Sequence, residues 1–385
     1  MKKPAESPPK LLWAIVCSFL KLGFTAFGGP AAAIAMMRQE FVLRRKWLDE
    51  DTFFDLLGMT NLIPGPNATE LAIHIGYRQA DWPGLILAGV SYILPAMGIV
   101  LGFAWAYVRW GTLPALDGVL YGIKPVVIAI LVAALIGMLK PRLSRALGLL
   151  VSVAVFAGYL LGVGPLFLLL AGGAALFALQ YIKQSPLVLL TLGFLNPLHP
   201  FKQGIAPENF SLLRLFWVFL KAGALMYGSG YVLLAFIQDD LVNKLGWLTQ
   251  AQLLDAIAVG QVTPGPLSTT ATFVGYLMGG FPAALLATVA MFLPGFLFVA
   301  LTHPLLRKLR QSARAGYFLD GVNFAALGLM AGVTWEIGAE ALVDPLTVGI
   351  SFVALILLLR FELNAPWLIL GGGLLGLLKI VFWGG

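Results

Sequence analysis

The stretch Asn61-Leu62-Ile63-Pro64-Gly65-Pro66-Asn67-Ala68-Thr69-Glu70 decides the reading of this chain. It returns 200 residues later as Gln261-Val262-Thr263-Pro264-Gly265-Pro266-Leu267-Ser268-Thr269-Thr270. Both copies sit inside long apolar segments, 53–78 and 253–278. A Pro-Gly-Pro in such a segment breaks a helix, and a broken helix in a bilayer needs its freed backbone buried in protein or facing a wet cavity. The same shift carries Phe19-Leu20-Lys21, Gly23, Gly28, Trp47-Leu48 and Asp55 onto Phe219-Leu220-Lys221, Gly223, Gly228, Trp247-Leu248 and Asp255. After a one-residue gap, Gly76-Tyr77, Pro83 and Pro95 fall on Gly275-Tyr276, Pro282 and Pro294. Shared hydrophobicity does not reproduce Lys, Trp and Asp in order, so the chain reads as a duplication.

Composition sets the class. Of 385 residues, 59% are hydrophobic and 11% charged, against roughly 45–50% and about 25% in soluble domains. Mean hydropathy is +0.90. There is too little polar surface for a water-facing globule, and no stretch is left for a soluble catalytic domain. Apolar segments at 11–37, 53–78, 82–108, 117–140, 146–164, 165–182, 212–237, 253–278, 281–303, 318–337, 346–360 and 364–383 lack sustained alternation, which predicts helices. The fold class is an all-α polytopic membrane protein of two inverted-topology repeats with broken or re-entrant helices. Its units are 11–182 and 212–383, joined by a connector at 183–211. A weaker run, 187–199, is the candidate for an odd crossing there. Net charge +7 fits basic cytoplasmic loops rather than nucleic acid. The expected location is the cytoplasmic (inner) membrane. Cys17 is the single cysteine, which excludes a disulfide framework. Three scattered histidines give no metal site, and no cofactor is expected.

Loop charge supplies the inversion. Loop 38–52 carries Arg38, Arg44, Arg45 and Lys46, whereas 238–252 has only Lys244. Loop 109–116 has Arg109 against Arg307, Lys308, Arg310 and Arg314 in 304–317, and Lys140, Arg142 and Arg145 face Glu336, Glu340 and Asp344. The bias reverses at each pair, as an inverted repeat requires. Arg44-Arg45-Lys46 with Trp47 reads as an inside loop lying on the lipid surface. Parity makes 53–78 the re-entrant hairpin, with 11–37, broken at Gly28-Gly29-Pro30, a second candidate.

The candidate chemistry is anion binding. Pro66 and Pro266 suit the first position of a helix. The N–H groups of Asn67, Ala68 and Thr69, and of Leu267, Ser268 and Thr269, then point toward the break with roughly half a positive charge. Lys21 and Lys221 lie inside apolar segments, where a central lysine costs about 2.5–3.5 kcal/mol and marks a substrate path unless it snorkels to an interface. The glycines Gly28, Gly29 and Gly228, with Ser229, allow close backbone approach or merely tight packing. The expected site is an oxyanion pocket near the midplane. Glu70 and His74, one turn apart, read as a proton-coupling pair, since an acid beside an anion site repels the anion unless protonated. The other reading is a Glu70 hydrogen-bonded to Lys21 or to backbone. Lys124 is another buried cation that either serves the pathway or pairs with Glu70. No nucleotide loop or hydrolase elbow occurs.

The chain resembles the chromate ion transporter family in its long, two-domain form. The likeness rests on Phe19-Leu20-Lys21-Leu22-Gly23 leading to Phe27-Gly28-Gly29-Pro30, on Gln39-Glu40 and Trp47-Leu48, and on Asn61 to Asn67. Gly76-Tyr77 and Leu94-Pro95 extend it, and Tyr227-Gly228-Ser229-Gly230-Tyr231, Gly260-Gln261 and Thr263-Pro264-Gly265-Pro266 carry it into the second half. The resemblance implies export of chromate driven by the membrane potential or a proton gradient, through antiparallel halves. Two positions depart from the family pattern. Asn61 stands where glutamine is frequent, as at Gln261, and Asp81 stands where glycine is usual. The expected function is a secondary transporter, not an enzyme, exporting chromate or a related tetrahedral oxyanion. An oxyanion channel, a sulfate-like uptake carrier and an intramembrane enzyme are the alternatives. Expected partners are the oxyanion, protons and membrane lipid, with a homodimer one open assembly.

Overall fold

A computed structural model describes residues 8–27, 29–60, 62–110, 114–182, 210–227, 230–302 and 313–383. Gly28, Asn61, Gly228, Ser229, His199, His303, the 187–199 run and residues 304–312 lie outside the described residues. Within them the chain is helical, with no strand. The helices are α1 (Pro8–Thr25), α2 (Gly29–Arg38), α3 (Glu50–Thr60), α4 (Asn67–Trp110), α5 (Pro114–Leu139), α6 (Ala146–Leu160) and α7 (Pro165–Ile182). The second half has α8 (Leu212–Leu225), α9 (Val232–Ile237), α10 (Gln250–Val262), α11 (Thr270–Thr302), α12 (Ala313–Ala341), α13 (Pro345–Phe361) and α14 (Ala365–Trp383). Five of these stretches are long and apolar enough to cross a membrane. The protein is an all-α, multi-pass membrane protein.

The breaks fall where the prolines and glycines put them. The segment 11–37 divides between α1 and α2, and 53–78 divides between α3 and α4 at the Pro-Gly-Pro. Helix α4 runs 44 residues, which would be about 66 Å if straight, twice a hydrocarbon core. It bends instead at Ala80 and Asp81, where Asp81 adopts φ 49°, ψ −136°. At the equivalent point of α11, Gly280 has φ 68°, ψ −155°. This backbone region favours glycine, which is the physical reason for the glycine usual at position 81. The bend leaves 67–79 about 20 Å long, half a membrane thickness and comparable with α3.

The loop reading of 38–52 needs correction. Helix α2 continues as a π-turn, Gln39–Arg44, and α3 already starts at Glu50. Arg44 and Arg45 both grip the buried Glu40, at 2.9 and 2.6 Å, while Arg38 pairs with Glu50 at 2.5 Å. Trp47 stacks on Phe41 and beneath Arg45. These residues form a clasp rather than a strip laid on lipid, because a buried carboxylate needs partners. Burial pushes the Glu40 carboxyl up, but hydrogen bonds from Arg45 and Arg44 outweigh it and hold it below the usual carboxylate value. The clasp therefore stabilises at neutral pH and loosens as pH falls through that depressed value.

The two halves pack by exchange. Helix α1 lies on α4, α8 lies on α11, and α4 meets α11. Beyond that core, α5 packs on α13 and α14, and α12 packs on α6 and α7. The contact of α5 with α14 runs through small residues. A Cβ on Gly122 would lie 1.9 Å from the Gly372 carbonyl, and one on Gly376 would lie 1.9 Å from that of Gly118. Backbones approach this closely only through glycine, a common device for helices in lipid.

Candidate functional site

Both Pro-Gly-Pro breaks open on one space. A cavity of about 470 Å³ is lined by Pro66, Asn67 and Ala68 from the first break and by Gly265, Pro266, Leu267 and Ser268 from the second. Gly29 and Pro30 at the start of α2, and Gly230 and Tyr231 before α9, complete its glycine-rich wall. Tyr92 of α4 and Arg142 beyond α5 also line it. A second space of about 300 Å³ shares Gly29, Pro30, Tyr231, Gly265 and Leu267 and adds Gln261, Glu362, Leu363 and Asn364. Volumes of this order suit small ligands.

Reciprocal hydrogen bonds hold the breaks together. Gly65 N–H donates to the Met226 carbonyl at 2.7 Å, and Gly265 N–H donates to the Ala26 carbonyl at 3.0 Å. Each loop thus caps the unwound end of the other half's first helix. Helix starts differ slightly from the sequence expectation. The Pro66 carbonyl accepts from Thr69 and Glu70 N–H, and that of Pro266 accepts from Thr269 N–H. Pro66 therefore stands one position earlier, as the residue before α4, and Pro266 caps a 3₁₀ turn, Leu267–Thr269, that leads into α11. The N–H groups of Thr69 and Thr269 are engaged there, which removes both residues from the donor set. Their side chains are buried, and Thr269 donates to the Pro266 carbonyl at 2.8 Å.

The lysines are placed elsewhere. Lys21 belongs to the exposed stripe of α1 with Trp13, Cys17 and Phe24, opposite the buried Ile15, Phe19 and Leu22. Lys221 is ion-paired with Asp240, which Lys244 also approaches at 3.6 Å. Neither lines the two cavities. Lys124 pairs with Asp255 at 3.4 Å, and the Tyr107 hydroxyl donates to the same carboxylate at 2.8 Å. It is not a partner of Glu70. Gln261 donates to the Tyr231 hydroxyl at 3.2 Å and borders the second cavity. Pro64 and Pro264 flank the breaks without lining either space.

Glu70 sits in the first turn of α4 with no exposure, and neither carboxyl oxygen has a hydrogen-bond partner among the described residues. Its Oε1 lies on the side of Gly65 and Gly295 where a Cβ would stand. His74 is buried one turn further along. Sequence reasoning treated Arg142 only as a loop base and passed over Tyr92. Nothing in the local pattern placed either residue on the cavity, since both arrive there by packing of distant helices.

Helix direction adds a polarity. Helices α5, α13 and α14 share one end where the Tyr121 hydroxyl donates to Asp344 and Lys379 approaches Asp344 at 3.5 Å. The Tyr121 and Thr347 hydrogen bonds hold the Asp344 carboxyl down at about 2. At the other end, about 30 Å along α5, stand Arg142 and the exposed turn Glu362–Asn364, which border the cavities. The cavities lie toward the second end, and the Tyr121–Asp344–Lys379 cluster lines neither of them.

The family model described as "Chromate transporter" matches the chain in two parts, residues 13–178 and 213–377. The chain belongs to the chromate transporter family. It is 33% identical over 380 residues to the "Chromate transport protein" of Cupriavidus metallidurans, covering 96% of this chain and 94% of that one. It is also 33% identical to the "Chromate transport protein" of Pseudomonas aeruginosa, covering 97% and 93% of the two chains. A "Probable chromate transport protein" of Synechococcus elongatus is 32% identical over 95% and 94%. No solved structure matches. Residues 179–212 separate the two matched parts. Of the two departures from the chromate transporter pattern, Asp81 occupies the bend of α4, remote in sequence from the break, and Asn61 lies outside the described residues.

Proposed function

We propose that this protein is a secondary active transporter that exports chromate, or a related tetrahedral oxyanion such as sulfate, across the cytoplasmic membrane. One observation carries the reading. Two long helices begin at a single cavity, from opposite halves of the chain, and helix N-termini favour anions. Family membership and the names of the relatives point to chromate among such anions. The end at Arg142 and Glu362–Asn364 belongs to the side that loop charge assigns to the cytoplasm, and the Tyr121–Asp344–Lys379 end to the outside. Cavities bordered by residues of the cytoplasm-assigned end support loading from the cytoplasm. Glu70, buried and without a hydrogen-bond partner among the described residues, is the residue assigned to the coupling proton.

Purified protein in liposomes should move labelled chromate against its gradient when a pH gradient or potential is imposed, with sulfate competing. Ohmic unitary currents without any coupled uphill flux would replace the transporter by a channel.

The inverted repeat is proposed on the reversed loop charges. Matched features support it, namely the reciprocal Gly65–Met226 and Gly265–Ala26 bonds, the bends at 80–81 and 279–280, and the π-turns at 39–44 and 238–244. In a Cys17→Ser background, single cysteines at Lys46 and Gly246 should react with impermeant reagent from opposite sides. Labelling of both from one side would remove the inversion.

A further inference from the structure

We propose that Arg142 and Tyr92 are the side-chain ligands of the bound oxyanion, with Arg142 supplying the charge that makes the site select a dianion. The inference rests on the reading of the 470 Å³ cavity as the oxyanion site.

Charge balance comes first. The two helix starts at Pro66–Ala68 and Pro266–Ser268 contribute about half a positive charge each, enough to match a monoanion. A tetrahedral dianion needs one charge more, because an uncompensated charge in a buried space is expensive. Neither Lys21 nor Lys221 supplies it, since Lys221 is committed to Asp240 and Lys21 faces outward; Lys124 and Lys379 are paired with Asp255 and Asp344. Arg142 is the cation that lines the cavity.

Its geometry differs from that of its neighbours in the same turn. Lys140 is exposed, and Arg145 points to Asp320, at 2.7 Å. Arg142 folds back along its own helix, donating one nitrogen to the Met138 carbonyl at 2.6 Å. No carboxylate lies within ion-pair distance of it among the described residues. A guanidinium carries five N–H donors in a planar fork, so donors are left for an oxyanion, which such a fork can grip through two oxygens.

Tyr92 is the independent observation. It is fully buried and lines the cavity, and its hydroxyl has no hydrogen-bond partner among the described residues. Buried hydroxyls are nearly always satisfied. An oxyanion oxygen in the cavity would accept from it and so give this buried hydroxyl its partner.

The test is selectivity, because a merely structural arginine would not alter it. Chromate binding to purified protein is measured directly and by competition with perrhenate, a tetrahedral monoanion. In Arg142→Gln, chromate affinity should fall about tenfold or more, while perrhenate affinity holds or rises, reversing the preference. Tyr92→Phe, which removes only the hydroxyl, should weaken both anions several-fold without changing their ratio. An unchanged chromate-to-perrhenate ratio in Arg142→Gln overturns the arginine's role, and unchanged affinities in Tyr92→Phe overturn the tyrosine's. If wild-type protein binds neither anion, the cavity reading itself fails, which is a separate result. Where Arg142→Gln does not yield monodisperse protein, Arg142→Cys in a Cys17→Ser background decides. Its modification by a cationic thiol reagent should be slowed by perrhenate, whose binding does not need the arginine, and lack of protection would place the side chain away from the site.

Discussion

Replacing Gly65 by alanine is expected to abolish chromate flux, leaving vesicles no more active than protein-free ones. Gly65 has φ +145°, a conformation that costs an L-residue about 1–3 kcal/mol. An added Cβ would also lie 2.0 Å from Glu70 Oε1 and 2.8 Å from its Cδ. Glu70 is fully buried, so it cannot swing away into solvent. Any relief must move the loop, and the loop is tied by Gly65 N–H to the Met226 carbonyl. The displacement therefore reaches both halves at the cavity. Gly98→Ala and Gly102→Ala, where nothing lies within 4 Å of an added Cβ, should insert and transport normally. Combining Gly65→Ala with Glu70→Ala removes the overlap but not the dihedral strain. It should recover part of the thermal stability and none of the coupled transport. Wild-type flux in Gly65→Ala would mean that the break tolerates rearrangement and does not set the site.

Glu70→Gln should uncouple the transporter from the pH gradient while leaving downhill oxyanion flux in place. The glutamine has nearly the same shape, so packing against Gly65 and Gly295 is preserved. It cannot take up or release a proton. Its neighbours are His74 one turn on, and Tyr227, whose hydroxyl donates to the Leu62 carbonyl at 3.3 Å. Among the described residues no lysine forms an ion pair with it, and Lys124 is held by Asp255. With pH gradient and potential imposed separately on vesicles, the variant should lose the component that follows pH and keep the one that follows potential. If the pH-driven component survives intact, Glu70 is structural and His74→Gln becomes the next variant to measure.

Much was legible in the linear chain because it depends on local chemistry. Apolar runs without alternation can only be helices in lipid, since each backbone group must be satisfied within its own segment. Pro64-Gly65-Pro66 and Pro264-Gly265-Pro266 break helices wherever they stand, so α3–α4 and α10–α11 were divided correctly before any packing was known. Position 81 was marked as departing from glycine, and the structure gives the reason in its positive φ. The lysines were a different matter. Lys21 and Lys221 carried the right charge in a suspicious place, but a residue's depth and facing are set by which side of its helix is covered.

What the sequence determined by itself was thus the class of protein, the position of the breaks and the anion-attracting chemistry of helix starts. Each follows from bonded geometry and from the cost of leaving backbone groups unsatisfied. Only the tertiary structure decided which side chains share the cavity. Asp240 is 19 residues from Lys221 in the sequence, and Asp255 is 131 from Lys124, yet they form the pairs that take those cations out of play. Arg142 and Tyr92 meet the two breaks through the packing of α5 and α4 against the opposite half. Charge is a property of a residue, whereas availability depends on its partners, and partners are chosen by helix packing across long sequence separations.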